Sequence, residues 1–259
     1  MTEPIIQMKN IEKHFGPVIA LAGVSLDVVP GECHCLLGDN GAGKSTFIKT
    51  MSGVHKATKG EIFFEGKKMN FERPRDAIAA GIATVYQDLA MIPLMSVTRN
   101  FFMGNEPMKR FAGINFFDHK FANEVTMEEM SKMGINLRGP DQAVGTLSGG
   151  ERQTVAIARA VHFGAKVLIL DEPTSALGVR QTANVLATVD RVRNKGVAVV
   201  FITHNVRHAM AVGDRFTVLN RGTTLGTAKR GDITPEELQN MMAGGQEIAS
   251  LEGSLGGTV

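Results

Sequence analysis

The sequence predicts an α/β protein whose core is a parallel sheet. Three observations carry that prediction. A glycine-rich loop, GDNGAGKST at 38–46, lies between an apolar run and a helix-forming segment. A second apolar run, Val167 to Leu170, ends on two adjacent carboxylates, Asp171 and Glu172. Strand and helix patterns then alternate as far as Thr203, as parallel strands joined by helical crossovers require.

The elements follow in order. Ile5 to Met8, and then Val24, Leu26 and Val28, alternate apolar with polar residues and predict a small β-rich N-terminal section. Gly31 to Leu37 reads as a buried strand, and the glycine loop carries it into a helix from Lys44 to about Met51. Gly60 to Phe64 and Ile82 to Tyr86 are further strands, with Gln87 just after the second. Met and Phe then replace Val and Ile, and Phe121, Val125, Met130 and Met133 fall at helical spacing. That texture predicts a mainly helical insertion over about 88–162. Strand Val167 to Leu170, a helix near Arg180 to Asn194 and strand Val197 to Thr203 restore the alternation. Thr234, Pro235, Glu236 and Glu237 form a capping box with proline at the first helical position, opening a last helix that ends near Gly244. Residues 1–243 thus make one domain without internal repeat, and the Gly- and Ser-rich 244–259 segment is expected to be a flexible tail.

Composition narrows the possible roles. The chain has 259 residues, 43% of them hydrophobic, and a net charge of only +2 without like-charge blocks, so nucleic acid is not an expected partner. Apolar runs are strand-length, far short of the roughly 20 residues a membrane helix needs. The start MTEPIIQMKN lacks the pattern of a secretory signal. The two cysteines, Cys33 and Cys35, lie too close for an ordinary bridge and suit a reducing cytoplasm as buried thiols; a metal role with His34 or His55 is the alternative.

Gly38, Gly43, Lys44 and Ser45 satisfy the phosphate-loop pattern, between strand and helix as its mechanism requires. Residues Gly38, Asp39, Asn40, Gly41, Ala42, Gly43, Lys44, Ser45 and Thr46 are therefore candidate nucleotide-binding positions. Glycines let backbone amides turn inward around phosphate oxygens. Lys44 would reach the β- and γ-phosphates, Ser45 would bind Mg²⁺, and the helix N-terminus adds partial positive charge. In such folds the ion lies at the carboxyl ends of parallel strands, which places Asp171 to meet it. Glu172 points elsewhere and could orient or deprotonate the water that attacks the γ-phosphate. Pro173 stops the strand and fixes both carboxylates.

Leu147, Ser148, Gly149, Gly150 and Glu151 precede the strongly helix-forming RQTVAIARA, so a second helix N-terminus with bare amides and a serine hydroxyl offers another anion site. With the phosphate loop, Asp171, Glu172, Gln87 in VYQD and His204 in FITHN, these residues resemble the ATP-binding cassette of ABC transporters over roughly 5 to 240. The resemblance implies a phosphate-loop NTPase fold with a β-rich N-terminal section, a RecA-like parallel-sheet core and a helical subdomain, and it implies ATP hydrolysis. It implies that LSGGE acts in trans, Ser148, Gly149 and Gly150 capping the γ-phosphate held by a second copy in a head-to-tail homodimer. It further implies that Gln87 touches Mg²⁺ and the attacking water, that His204 contacts the γ-phosphate, and that Phe15 stacks on adenine, a core role being the rival for Phe15. The details GDNGAGKSTFIKTMSGV, VYQDLAMIPLMSVTRNFFMG and DEPTSALGVRQT look like the ATPases of monosaccharide importers, the single-cassette fructose type above all. Transmembrane permease subunits, a periplasmic sugar-binding protein and a peripheral place on the cytoplasmic face of the inner membrane follow from the same likeness. Gly178 stands where the family usually has aspartate, either altering an interface loop or simply providing a turn before the next helix.

Overall fold

β1 (Ile6–Phe15) and β2 (Val18–Val28) pair as an antiparallel hairpin around Gly16 and Pro17. Ile6 and Met8 lie opposite Val28 and Leu26, all buried, while the residues between them face outward, the two-residue period of a half-buried sheet. The register shifts between Met8 and Ile11, and Asn10 there takes a left-handed φ of 49°, a bulge that turns Ile11 inward as well. The computed structural model describes residues 3–243 except 112, so the expected flexible tail lies outside the described residues.

Along the chain come β3 (Cys33–Leu37), α1 (Lys44–Met51), β4 (Lys59–Phe64), β5 (Lys67–Met69), α2 (Pro74–Ala80), β6 (Ile82–Val85) and α3 (Val97–Phe102). Then follow β7 (Met108–Phe111), β8 (Ile114–Phe117), α4 (His119–Lys132), a 3-10 turn at Val144–Thr146, α5 (Gly149–His162), β9 (Val167–Asp171) and α6 (Val179–Asn194). β10 (Ala198–Thr203), α7 (Val206–Val212), β11 (Arg215–Asn220), β12 (Thr223–Lys229) and α8 (Pro235–Met242) complete it. The first sheet has the order β2-β1-β4-β5 and the second β12-β11-β3-β10-β9-β6. In the second sheet only the β11–β12 pair is antiparallel.

β3 and β10 are buried along their whole length, so their side chains sort by alternation into two cores. Cys33, Cys35 and Leu37, with Leu168, Leu170, Val199 and Phe201, pack into the layer of α5, α6 and α7. Leu36, Val167, Ile169, Val200 and Ile202 pack instead against α1 and the first sheet, whose Ile6, Met8 and Phe64 join the same cluster. Both cysteines are buried free thiols. Among the described residues no group of three His, Cys, Asp or Glu side chains could hold a metal ion; His34 is hydrogen-bonded to Asp27 O and Thr217, and His55 lies edge-on to Phe15.

His34 is held between the Asp27 carbonyl, 3.0 Å from Nδ1, and Thr217 Oγ1, 2.8 Å from Nε2. Burial, and then the Arg215 guanidinium, lower its pKa from 6.5 to about 3. Glu32 Oε1 lies 3.6 Å from Nδ1, but both of its carboxylate oxygens are bound by Arg215, at 2.8 and 2.9 Å, so it gives the ring no net anion. A histidine whose folded pKa is lowered stabilises nothing by charging: the unfolded chain takes up the proton first, and stability falls as pH drops from 6.5 toward about 3. Going from pH 7 to pH 5 should therefore cost about 2 kcal/mol from this group. Burial raises the pKa of Glu32 and so opposes the trend; comparing the pH slopes of denaturant unfolding for wild type and His34→Gln isolates the imidazole, and equal slopes would refute its role.

Parts of the fold go beyond the sequence expectation, among them the short β5, α2 and α7. Besides α3, α4 and α5, the 88–162 stretch holds the β7–β8 hairpin, whose four-residue strands leave Met108, Ile114 and Phe116 exposed and lack the alternation that marks a half-buried strand. β11 and β12 were also not anticipated, although Phe216 and Val218 alternate before the turn residues Asn220, Arg221 and Gly222.

Candidate functional site

Parallel pairing brings the functional segments to one sheet edge. Leu37 of β3 lies opposite Thr203 of β10, Ile202 opposite Asp171 of β9, and Leu170 opposite Val85 of β6. The next residues in each case are Gly38, His204, Glu172 and the Tyr86–Gln87 pair, all at the carboxyl ends of the strands, where open α/β sheets bind ligands.

The glycine loop is shaped by its neighbours. At Gly38 φ is 149°, and a Cβ there would run into the Leu219 carbonyl oxygen of β11, a backbone atom that cannot move aside. Gly222 of the β11–β12 turn donates its N–H to Ala42 O at 2.9 Å, pinning the loop from the other side. Gly43 caps α1 with φ 103°, and Phe47, Ile48 and Met51 anchor that helix in the core. The result is a cavity of about 520 Å³ lined by Asp39, Asn40, Gly41, Ala42, Gly43, Lys44, Ser45 and Thr46, by Gln87, and by Asp171 and Glu172. Val18, Ile19 and Ala20 of β2, and Arg221, complete the lining.

The cleft's charges strain one another. Lys44 is buried, and its Nζ donates to Gly38 O at 2.6 Å and Asp39 O at 3.0 Å. Burial lowers its pKa, and the carboxylates of Glu172, Asp39 and Asp171 oppose that. Asp171 is raised by burial and next by Glu172, with Lys44 pulling the other way. A partly dry carboxylate beside another carboxylate favours a bound cation. With the Ser45 hydroxyl and the Gln87 amide in the same cavity the donors are oxygens, the kind that suits Mg²⁺ shared with phosphates. Glu172 adopts φ 48°, and its Oε1 is 3.0 Å from His204 Nδ1, so acid and histidine form a pair at the rim.

The second helix N-terminus carries a capping box. Ser148 caps α5 by accepting the Glu151 N–H at 3.3 Å, while Glu151 Oε2 accepts the Ser148 N–H at 2.7 Å. The cap uses an oxygen lone pair of Ser148 and its N–H, and leaves the hydroxyl proton to be donated elsewhere. Packing is tight at Gly150, where an added Cβ would stand 3.0 Å from Gln181 Cβ and 3.1 Å from its backbone oxygen, whereas at Gly149 it would meet only the tip of Leu177, Cδ2 at 2.7 Å, which can turn aside. Ser148, Gly149 and Gly150 do not line the Lys44 cavity of their own chain. His204 borders an adjoining cavity with Asp39, Asn205 and Met242 of α8.

Phe15 is not a core residue; it is 44% exposed, with His55 edge-on at 5.2 Å between ring centroids and Lys13 Nζ 4.9 Å from its centroid. It does not line the cavity, whereas Val18 and Ile19, just beyond the hairpin turn, do. The signal for them was available, since GPVIAL puts exposed apolar residues directly after a turn. Arg221 gave no comparable sign. Gly178 caps α6 in extended backbone, φ −69° and ψ 163°, and a Cβ there meets nothing within 4 Å, so the turn does not need glycine.

Fold and site together define a phosphate-loop ATPase. The profile of the ABC transporter family matches residues 21–175. The chain is 42% identical over 243 residues to the xylose/arabinose import ATP-binding protein XylG of Sulfolobus acidocaldarius, covering 92% of this chain and 93% of that one. It is 41% identical to the fructose import ATP-binding protein FrcA of Rhizobium meliloti over 95% of this chain and 96% of that one. Against the ribose import ATP-binding protein RbsA 2 of Escherichia coli O157:H7 it is 37% identical over 93% of its own length, but spans 47% of that longer protein. Its fold superposes on the ADP conformation of an ATP-binding cassette of an ABC transporter with TM-score 0.81, at 25% identity, covering 96% and 98% of the two chains. A dimeric bacterial ABC transporter cassette gives TM-score 0.72 at 26% identity, over 88% of this chain and 100% of that one. The chain belongs to the ABC transporter family, as one of its ATP-binding cassettes. Among the described residues no helix is long and apolar enough to cross a membrane.

Proposed function

We propose that two copies of this chain bind ATP and Mg²⁺ between them and use hydrolysis to drive uptake of a monosaccharide through membrane permease subunits. The observation that carries the catalytic part is the single cavity joining the phosphate loop to Gln87, Asp171 and Glu172. The sugar-import names of the relatives support the substrate class. In this reading loop amides and Lys44 hold the phosphates, and Ser45, Gln87 and Asp171 would hold Mg²⁺, which supplies charge neutralisation at the β- and γ-phosphates. Glu172 accepts a proton from the attacking water, and His204, 3.0 Å from its carboxylate, orients that acid and faces the γ-phosphate. Ser148, Gly149 and Gly150 serve the partner's phosphates, Ser148 donating the hydroxyl proton that its capping role leaves free. Phe15 or the Val18–Ile19 edge flanks the base. Residues 1–243 act as one domain whose 88–162 part meets the permease, on the cytoplasmic face of the membrane.

The test is ATPase activity in vesicles holding the permease and a periplasmic binding protein, with ribose, galactose, fructose, xylose and arabinose offered separately. Stimulation by at least one is expected; failure of all five would sink sugar import. Gly178 gives a finer check. Gly178→Asp should cap α6 and stabilise the chain by a few tenths of a kcal/mol. It should also change the cooperativity of hydrolysis in ATP more than the ATP affinity, and unaltered cooperativity would leave capping as its whole effect.

A further inference from the structure

The turn that presents Glu172 is held in an uncommon backbone. Glu172 and Ala176 both take left-handed φ, 48° and 57°, although neither is glycine. Such conformations persist where surrounding structure over-determines them. Within the turn Ser175 N donates to Glu172 O at 3.0 Å, and Glu172 N donates to Ile202 O at 3.0 Å. Between Glu172 and its other fixed point in the turn, Thr174, stand two contacts to one short segment: Glu172 to His204, and the buried Thr174 to His208.

The His208 contact has a defined proton. Asn205 caps α7 by accepting the His208 backbone N–H at Oδ1, 3.2 Å, which fixes the orientation of its amide. The Asn205 NH₂ then faces His208 Nε2 at 3.4 Å. An NH₂ only donates, so Nε2 is the acceptor, and the ring proton sits on Nδ1, donated to Thr174 Oγ1 at 2.9 Å. Asn205 is itself tied down by its N–H to Thr203 Oγ1, 3.0 Å, at the end of β10. Burial, and after it His204, lower the His208 pKa against the pull of Glu172, which keeps the ring in the neutral form this arrangement uses.

We infer that His208 is a positioning residue for hydrolysis: through Thr174 it locks the Glu172 turn to α7, so that Glu172 and His204 are held by the same segment at both ends. The inference rests on the role proposed above for Glu172. His208→Ala should lower kcat about ten- to hundredfold, the scale of a catalytic group displaced by up to an ångström, while the Kd for ATP stays within about twofold. Thr174→Val should do the same, and the double variant should lose no more than either single one. His208→Asn offers an N–H toward Thr174 and should recover most of the loss, as should Thr174→Ser; melting curves establish that each variant is folded. Additive losses, no recovery in His208→Asn, a parallel rise in Kd, or an unchanged kcat would each overturn the positioning role. Glu172→Gln run alongside separates the two readings. If it abolishes turnover while His208→Ala matches wild type, only the positioning role falls; if it leaves turnover unchanged, the role of Glu172 falls first.

Discussion

Glu172→Gln should retain ATP binding and lower steady-state phosphate release by about 10²–10⁴-fold, the range for losing a positioned general base. The reasoning starts from the backbone. Glu172 is fixed at the carboxyl end of β9 by its N–H to Ile202 O and by its left-handed φ, and glutamine can follow both without changing size. What changes is charge. Asp171 keeps its place, and its raised pKa should move back toward the ordinary carboxylate range once the neighbouring anion is gone. Lys44 loses the first of the carboxylates that offset its burial, so its need for phosphate oxygens grows. Affinity for ATP should therefore hold or tighten while turnover collapses, and slow hydrolysis should leave the ATP-bound dimer long-lived on gel filtration. Single-turnover phosphate release and equilibrium nucleotide binding, measured on the same preparation, separate the two quantities. Turnover within threefold of wild type, at least about thirtyfold above the level expected from losing a general base, would remove Glu172 from the chemistry.

The site's main chain was legible because each part has a local cause. A phosphate loop must follow a buried strand and open a helix, and GDNGAGKST does both. Asp171 and Glu172 follow an unbroken apolar run, and parallel pairing alone then carries them to Gly38 and His204. What stayed hidden depends on contacts distant in sequence. The β11–β12 turn reaches the loop through Gly222 and Ala42, a pairing no local pattern encodes. The crowding at Gly150 comes from the approach of Gln181 in α6, again a contact distant in sequence. The Ser148–Glu151 capping box, by contrast, was written in the S-x-x-E spacing, and it partners the Ser148 and Glu151 amides. The hairpin β7–β8 escaped because Met108, Ile114 and Phe116 are exposed, so burial imposed no alternation on its sequence.

Lys44→Ala should weaken ATP binding by about 2–5 kcal/mol, the cost of truncating one member of a buried charge pair, or about thirtyfold to several thousandfold in Kd. Lys44 is buried, its pKa is lowered chiefly by that burial, and the donors of its ammonium point at the Gly38 and Asp39 carbonyls. Phosphate oxygens would replace those carbonyls with charge-assisted bonds, so most of the ammonium's stabilisation is realised only when nucleotide is bound. The nucleotide-free protein should change little in stability, because two effects oppose. Removing Lys44 relieves a desolvated cation but strips two carbonyls of a donor and leaves Asp171 and Glu172 less compensated. Lys44→Arg should fail nearly as badly, since a planar guanidinium cannot fit as a compact ammonium does between the loop carbonyls. Titration calorimetry with ATP and with ADP checks the sign and the size. A loss with ATP alone would place Lys44 at the γ-phosphate only, a comparable loss with both would place it across the β- and γ-phosphates, and an affinity equal to wild type for both would remove the phosphate-loop assignment.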